Sequence, residues 1–272
     1  MRTEDITKEL ERGVKELLAS DKYKEYLNFM GKFHDYSVNN SILIFLQMPQ
    51  ATMVAGYQAW QNKFKRQVRK GEKGIRILAP CPHKYTKQIE DENGNKEEHE
   101  FNWTSFRPVS VFDISQTDGE ALPEICNDLT GNVDGYKAII DKLEKIAPVA
   151  VSFEAINSSA KGYFSDKENK IVVKAGMSEE QTVKTLVHEI AHSFLHGESG
   201  EENEADRRTQ EVQAESVAYT VCRMLGLNTD EYSFGYIAGW SAGKELKELN
   251  KSMETIRKTA NKILKEVKRD EE

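Results

Sequence analysis

The run His188-Glu189-Ile190-Ala191-His192 constrains this chain more than any other five residues. Histidines at i and i+4 share one face only if the segment is α-helical. The flanking residues demand the same helix. Val183, Leu186, Val187, Ile190, Ala191, Phe194 and Leu195 recur at i, i+3, i+4, i+7 spacing, the pattern of a buried helix. Ser178 with Gln181 three residues on reads as a capping box, and Gly197 stands where a left-handed cap would end the helix. A helix over residues 179–196 is expected. Two imidazoles on one side of it can grip Zn2+, with Glu189 beside the activated water.

A catalytic zinc usually has three protein ligands. His196 lies eight residues from His188, about 12 Å along a helix axis, too far for both to reach one ion. It reads instead as a helix C-terminal residue facing the dipole. Downstream, Glu211 and Glu215 share a helix face, and two stacked like charges cost energy unless a cation or proton donor uses them. One carboxylate on the metal and one on a ligand histidine's free N–H would use both. Glu211 is the expected ligand and Glu215 its neighbour, with the reverse order as the alternative. Glu202 and Asp206 share the spacing in polar surroundings and read as a solvated face. The chemistry implied is metal-assisted hydrolysis with Glu189 as general base. Zn2+ is the expected cofactor, and Mn2+ would fit the same ligands. Tyr219, Tyr232 and Tyr236 are the neutral donors considered for the oxyanion, and the Lys170–Lys174 strand is the candidate edge for an extended peptide.

With 272 residues, two α+β domains are expected: 1–118, a linker at 119–134 rich in Gly, Pro, Asn and acids, and 135–272. No apolar run is long enough to span a bilayer and no signal-peptide core follows Met1, so a cytoplasmic protein without membrane attachment is expected. Cys81, Cys126 and Cys222 are odd in number and far apart, and read as reduced thiols. The N-terminal part reads as helices over 3–35, 39–47 and 57–64, then a strand at 75–80. A hairpin follows with arms 84–89 and 98–106 around Asn93-Gly94, and then a strand at 108–114. In the second part a helix at 135–146, a strand at 149–154 and a hairpin, 162–164 with 170–174, precede the histidine helix. Leu246, Leu249, Met253, Ile256, Ala260, Ile263 and Val267 form heptads, packed either on their own domain or against a second copy as a homodimer.

Charge is segregated. Residues 61–88 hold nine cations and one anion, so this segment carries +8 and the rest of the −7 chain carries −15. Aromatics (Tyr57, Trp60, Phe64 and Tyr85) are interleaved with Lys63, Lys65, Arg66, Arg69, Lys70, Lys73 and Arg76. Cations neutralise phosphates and aromatic faces stack on unpaired bases.

The run Ser37-Val38-Asn39-Asn40-Ser41-Ile42-Leu43, then Gln47, Pro49, Ala51-Thr52, Gly56, Trp60, Val68–Ile75 and Val111-Phe112-Asp113-Ile114-Ser115-Gln116-Thr117, resembles the N-terminal domain of ArdC-type antirestriction proteins. That resemblance implies a single-stranded DNA-binding domain followed by a zincin-like metallopeptidase domain, on a protein of mobile elements that protects incoming DNA. The Glu211–Ala218 stretch is similar to the third-ligand helix of zinc peptidases, in which the residue four on is often Asp rather than Glu215. Single-stranded DNA and an unidentified protein substrate are the expected partners. A cytosolic peptidase acting on a repressor-like protein, and a pure DNA-binding protein with a vestigial metal site, are the alternatives.

Overall fold

The computed structural model describes residues 3–18, 22–33, 35–90, 96–120, 133–200, 202–229, 234 and 237–269. It divides into two compact units, Met1–Gly13 with Leu43–Ala121, and Val14–Ile42 with Leu122–Glu272. The linear reading gave residues 14–42 to the first domain, whereas they pack in the second unit. Helices α1 (Thr3–Leu18) and α3 (Val38–Gln47) contain the division points. The expected linker lies largely outside the described residues, as do Cys126 and the Asn93-Gly94 turn.

In the first unit one long antiparallel pair dominates. Strand β3 (Ile75–Glu90) pairs with β4 (Lys96–Asp113) from Ile75↔Val111 out to Glu90↔Lys96. The four short strands expected from sequence are thus the two halves of two long ones. Pro80, Pro82 and Pro108 made the continuity invisible, because proline usually ends a strand. Here Pro80 and Pro82 lie in β3, an edge strand in the order β1–β4–β3, and Pro108 lies in β4 outside the three residues that β1 covers, so a missing N–H is tolerated at all three. Strand β1 (Val54–Gly56) pairs only with the root of β4, and α4 (Tyr57–Asn62) follows it. A small second sheet joins β2 (Arg66–Val68) to β5 (Thr117–Gly119).

Two side chains substitute for backbone in this unit. Gln47 donates Nε2–H to the Arg76 carbonyl and accepts the Arg76 N–H, both at 2.9 Å, as a strand would. Asp113 caps the 3-10 turn at 114–116 and also accepts the N–H groups of Thr52 and Met53. Gln116 completes that capping box and reaches Glu72 and the Lys73 carbonyl, anchoring the basic loop.

The second unit is helices on a three-stranded sheet of order β6–β8–β7. Strand β6 (Ala150–Glu154) runs parallel to β8 (Lys170–Lys174), and β7 (Gly162–Ser165) runs antiparallel to it. The expected peptide-pairing edge, β8, is therefore the central strand with both neighbours in place, and β6 and β7 are the edges. Helix α6 (Glu179–Leu195) packs on β7 and β8 with one face and on α7 (Arg207–Met224) with the other. Its residues Val183, Leu186, Val187, Ile190 and Ala191 are wholly buried. Ser178 caps it by accepting the Gln181 N–H, but the Gln181 side chain turns to Lys161 and Thr185 instead of closing the box. Gly197 does not take a left-handed conformation. His196 is the C-cap residue, and its N–H still bonds the His192 carbonyl.

The heptad face of α9 (Leu246–Val267) is covered within the chain by α7 and by α5 (Val133–Ile146). Leu249, Met253, Ile256, Ala260, Ile263 and Val267 are all buried there, so this stripe is not left open for a second copy. Glu202 is not a solvated acid as expected, since it accepts from Lys251 and Thr255 of α9. Asp206 caps α7 through the Thr209 N–H and hydroxyl.

Candidate metal centre and nucleic-acid surface

Helices α6 and α7 bring the predicted ligands together. One ligating atom each from His188, His192 and Glu211 lies within 4.8 Å of the other two. The imidazole Nε2 atoms are 3.1 Å apart, and Glu211 Oε2 is 3.6 Å from His188 Nε2 and 3.8 Å from His192 Nε2. Two nitrogens and one carboxylate oxygen converging at this distance fit one divalent ion with an open position. The spacing requires a proton or a metal ion between these atoms, since two imidazole lone pairs and a carboxylate would otherwise repel.

The second carboxylate lies behind the first imidazole. Glu215 Oε2 is 3.3 Å from His188 Nδ1, and Lys184 Nζ is 3.6 Å from the other Glu215 oxygen. Burial alone would lower the His188 pKa, but Glu211 and Glu215 outweigh it and hold it at about 9. His188 and His192 together hold Glu211 well below the usual carboxylate range. Burial pushes Glu215 up, but His188 and Lys184 more than reverse it. Glu189 is different. It is buried on the sheet side of α6 and is raised, chiefly by that burial, against a hydrogen bond from the Phe164 backbone of β7. A carboxylate of raised basicity next to a metal site suits a general base.

His196 does not join the ligands. Its Nδ1 lies 2.9 Å from His192 Nδ1, and its Nε2 lies 2.9 Å from Gln213 Oε1. Burial pulls its pKa down to about 4, so it is neutral. Sequence reading found neither Lys184 nor Gln213, although Gln213 stands between the two glutamates on α7. Tyr219 is packed against Phe234 in the core, and Tyr232 and Tyr236 lie outside the described residues.

In the first unit the predicted DNA contacts separate into two groups. Trp60 is fully buried, with its indole N–H given to the Phe112 carbonyl, so it offers no face to a base and is a core residue. The Arg66 guanidinium is tied to Thr117 and to the carbonyls of Gly119 and Glu120. Arg69 is paired with Glu72 at 2.9 Å and Asp118 at 3.4 Å. These two cations fasten the basic loop to β5 and the turn before it. Lys63, Lys65, Lys70, Lys73 and Arg76 are exposed.

Of the exposed aromatics in this unit, Tyr57 stands at the start of α4, and Tyr85, Trp103 and Phe106 are on the hairpin. Because paired residues share a face, His83↔Trp103 and Tyr85↔Phe101 form consecutive rungs beyond the buried root of the sheet. The His83 and Trp103 rings stack at 4.3 Å, and Tyr85 and Phe101 at 5.3 Å, each pair nearly parallel. Trp103 remains 53% exposed and Tyr85 50%. Trp103 was missed because the hairpin register, not local composition, places it beside His83.

An edge strand antiparallel to its neighbour, with an H-E-x-x-H helix beneath it and a carboxylate from the next helix beside the histidines, defines a metallopeptidase-like domain. The comparisons with known proteins agree. Residues 145–232 match the IrrE N-terminal-like domain, a peptidase family, and residues 1–112 match the N-terminal domain of anti-restriction factor ArdC. The two matches together support an ArdC-type protein. Its fold is similar to crystal structures of the antirestriction ArdC protein from the R388 plasmid. The metal-free form has a TM-score of 0.55 and 22% identity over 85% of each chain. The Mn(II)-bound form has a TM-score of 0.53 and 20% identity over 87% of this chain and 86% of that one. An uncharacterized Bacillus anthracis protein, pXO2-81, is 27% identical over 88% of this chain. The chain spans about half, 46%, of that relative's length. No helix among the described residues is long and apolar enough to cross a membrane.

Proposed function

We propose that this chain is an antirestriction-type protein of a mobile element that acts in the cytoplasm. Its first domain binds single-stranded DNA and its second hydrolyses peptide bonds with a divalent metal. One observation carries the peptidase reading: His188, His192 and Glu211 converge beside a buried Glu189 of raised basicity. His188 Nε2, His192 Nε2 and a Glu211 oxygen would hold the ion, Zn2+ or the Mn2+ seen in the R388 protein. A cation there supplies Lewis-acid chemistry, lowering the pKa of a water and polarising the scissile carbonyl. Glu189 takes the attacking water's proton and delivers it to the leaving amine. Strand β7, the open edge beside Glu189, aligns an extended peptide by main-chain pairing.

The DNA reading is supported by the family of the first domain, the exposed lysines around the basic loop and the stacked aromatics of the hairpin. Cations hold phosphates while ring faces stack on unpaired bases, which a duplex does not present. Glu189→Gln tests the peptidase. It should bind Zn2+ as the parent does and lose about 10²- to 10⁴-fold in cleavage of an unfolded protein substrate. Cleavage at the parental rate would remove Glu189 from the chemistry.

A further inference from the structure

A chain of polar atoms runs behind His192, away from the metal position, and links three helices. His192 Nδ1 lies 2.9 Å from His196 Nδ1, His196 Nε2 lies 2.9 Å from Gln213 Oε1, and Gln213 Nε2 lies 3.3 Å from Ser252 Oγ on α9. Gln213 is wholly buried and Ser252 nearly so, so water does not compete for these groups.

The chain has a direction. An amide carbonyl can only accept, so Oε1 facing His196 requires a proton on His196 Nε2. A neutral imidazole carries one proton, which leaves His196 Nδ1 as an acceptor. The proton of the 2.9 Å contact must then sit on His192 Nδ1, and His192 Nε2 keeps its lone pair. That atom is the one turned toward His188 and Glu211. The opposite polarity, with the amide reversed, would protonate His192 Nε2 and block ligation.

We infer that His196 and Gln213 are positioning residues that fix the ligating tautomer of His192, with Ser252 holding the amide in register. The inference rests on the metal-site reading above. A metal-bound histidine commonly gives its other N–H to a carboxylate, carbonyl or water. Here a carboxylate, Glu215, lies 3.3 Å from His188 Nδ1 without forming a directed hydrogen bond, while His192 has a neutral imidazole at 2.9 Å, so the two histidines are supported in different ways. The third histidine of the motif therefore acts through the second rather than on the ion.

The test combines two readouts on the full chain. In 15N-histidine NMR of Zn2+-loaded protein, His196 should be the Nε2–H tautomer, with a through-hydrogen-bond coupling between its Nδ1 and that of His192. Competition with a chelator should show Zn2+ affinity falling about 10- to 100-fold in Gln213→Met, which keeps the volume and removes the acceptor. Gln213→Glu restores an acceptor and should retain affinity, which a packing role would not predict. A proton on His196 Nδ1, coordination of His196 itself, or equal affinity in Gln213→Met and the parent would overturn the relay. If the parent takes up neither Zn2+ nor Mn2+, the metal reading fails, and the same coupling measured on metal-free protein still decides the relay.

Discussion

At the scale of single residues, the metal position is already organised by charge. In the metal-free protein His188 keeps its proton up to about 9 because two carboxylates face it. A group held above its ordinary value of 6.5 stabilises the fold fully below that value, and the contribution is lost as pH rises through about 9. Melting temperature of the metal-free protein should therefore fall between these two pH values, and His188→Gln should flatten the fall. Metal competes with the same proton, so uptake releases it and affinity climbs with pH until about 9. Calorimetric titration with Zn2+ in buffers of different ionisation enthalpy measures the proton directly. A pH-independent affinity across this range would mean that the metal does not displace a proton from His188. These residues were legible in sequence because helix periodicity alone places His188, Glu189 and His192. Gln213 and Lys184 were not, since their partners are fixed by how α6 and α7 pack.

Individual elements show where local reading fails. Sequence reading placed the substrate edge on β8, whose apolar run Ile171-Val172-Val173 is buried because both its flanks are paired. The edge strand beside α6 is β7, held against that helix by a glycine. A Cβ at Gly162 would meet Thr185 Cγ2 at 2.6 Å and the Val172 carbonyl at 3.0 Å. Gly162→Ala should force β7 away from α6, costing about 1–3 kcal/mol in denaturant unfolding. Cleavage should fall more than stability explains, because β7 carries the backbone bond to Glu189. Unchanged unfolding and cleavage would show that β7 does not need this approach. The same lesson holds for the motif that carries the family resemblance. Gln47, Trp60, Asp113 and Gln116 are recognisable in sequence, yet each is spent on internal hydrogen bonds. The exposed ring pairs of the hairpin lie instead on rungs that only the register reveals. Replacing Trp103 and Tyr85 by Ala should weaken single-stranded DNA binding by about 1–3 kcal/mol per lost stack, with little change in melting temperature, since both rings are half exposed. Anisotropy titration of an unlabelled-protein series against a labelled oligonucleotide would show it, and parental affinity in the double variant would move the stacking site elsewhere.

For the whole molecule the decisive property is that a −7 chain confines +8 to one segment. An acidic remainder repels phosphates, so DNA contacts should be few and local, and the salt dependence should count them. Each neutralised phosphate on a single strand contributes about 0.7 to the slope of log affinity against log salt. If Lys63, Lys65, Lys70, Lys73 and Arg76 each engage one phosphate, the slope is about −3.5. Arg66 and Arg69 should add little, because their guanidinium groups are committed to β5, Glu72 and Asp118. Changing Lys70 and Lys73 to Ala together should reduce the magnitude of the slope by about 1.4. Arg69→Ala should instead show up mainly as lost stability of the loop. Glu189→Gln should leave the slope untouched, since the metal centre belongs to the other unit. An unaltered slope in the lysine double variant, with binding retained, would place the phosphate contacts outside the basic loop. It would also leave the charge segregation without a nucleic-acid explanation.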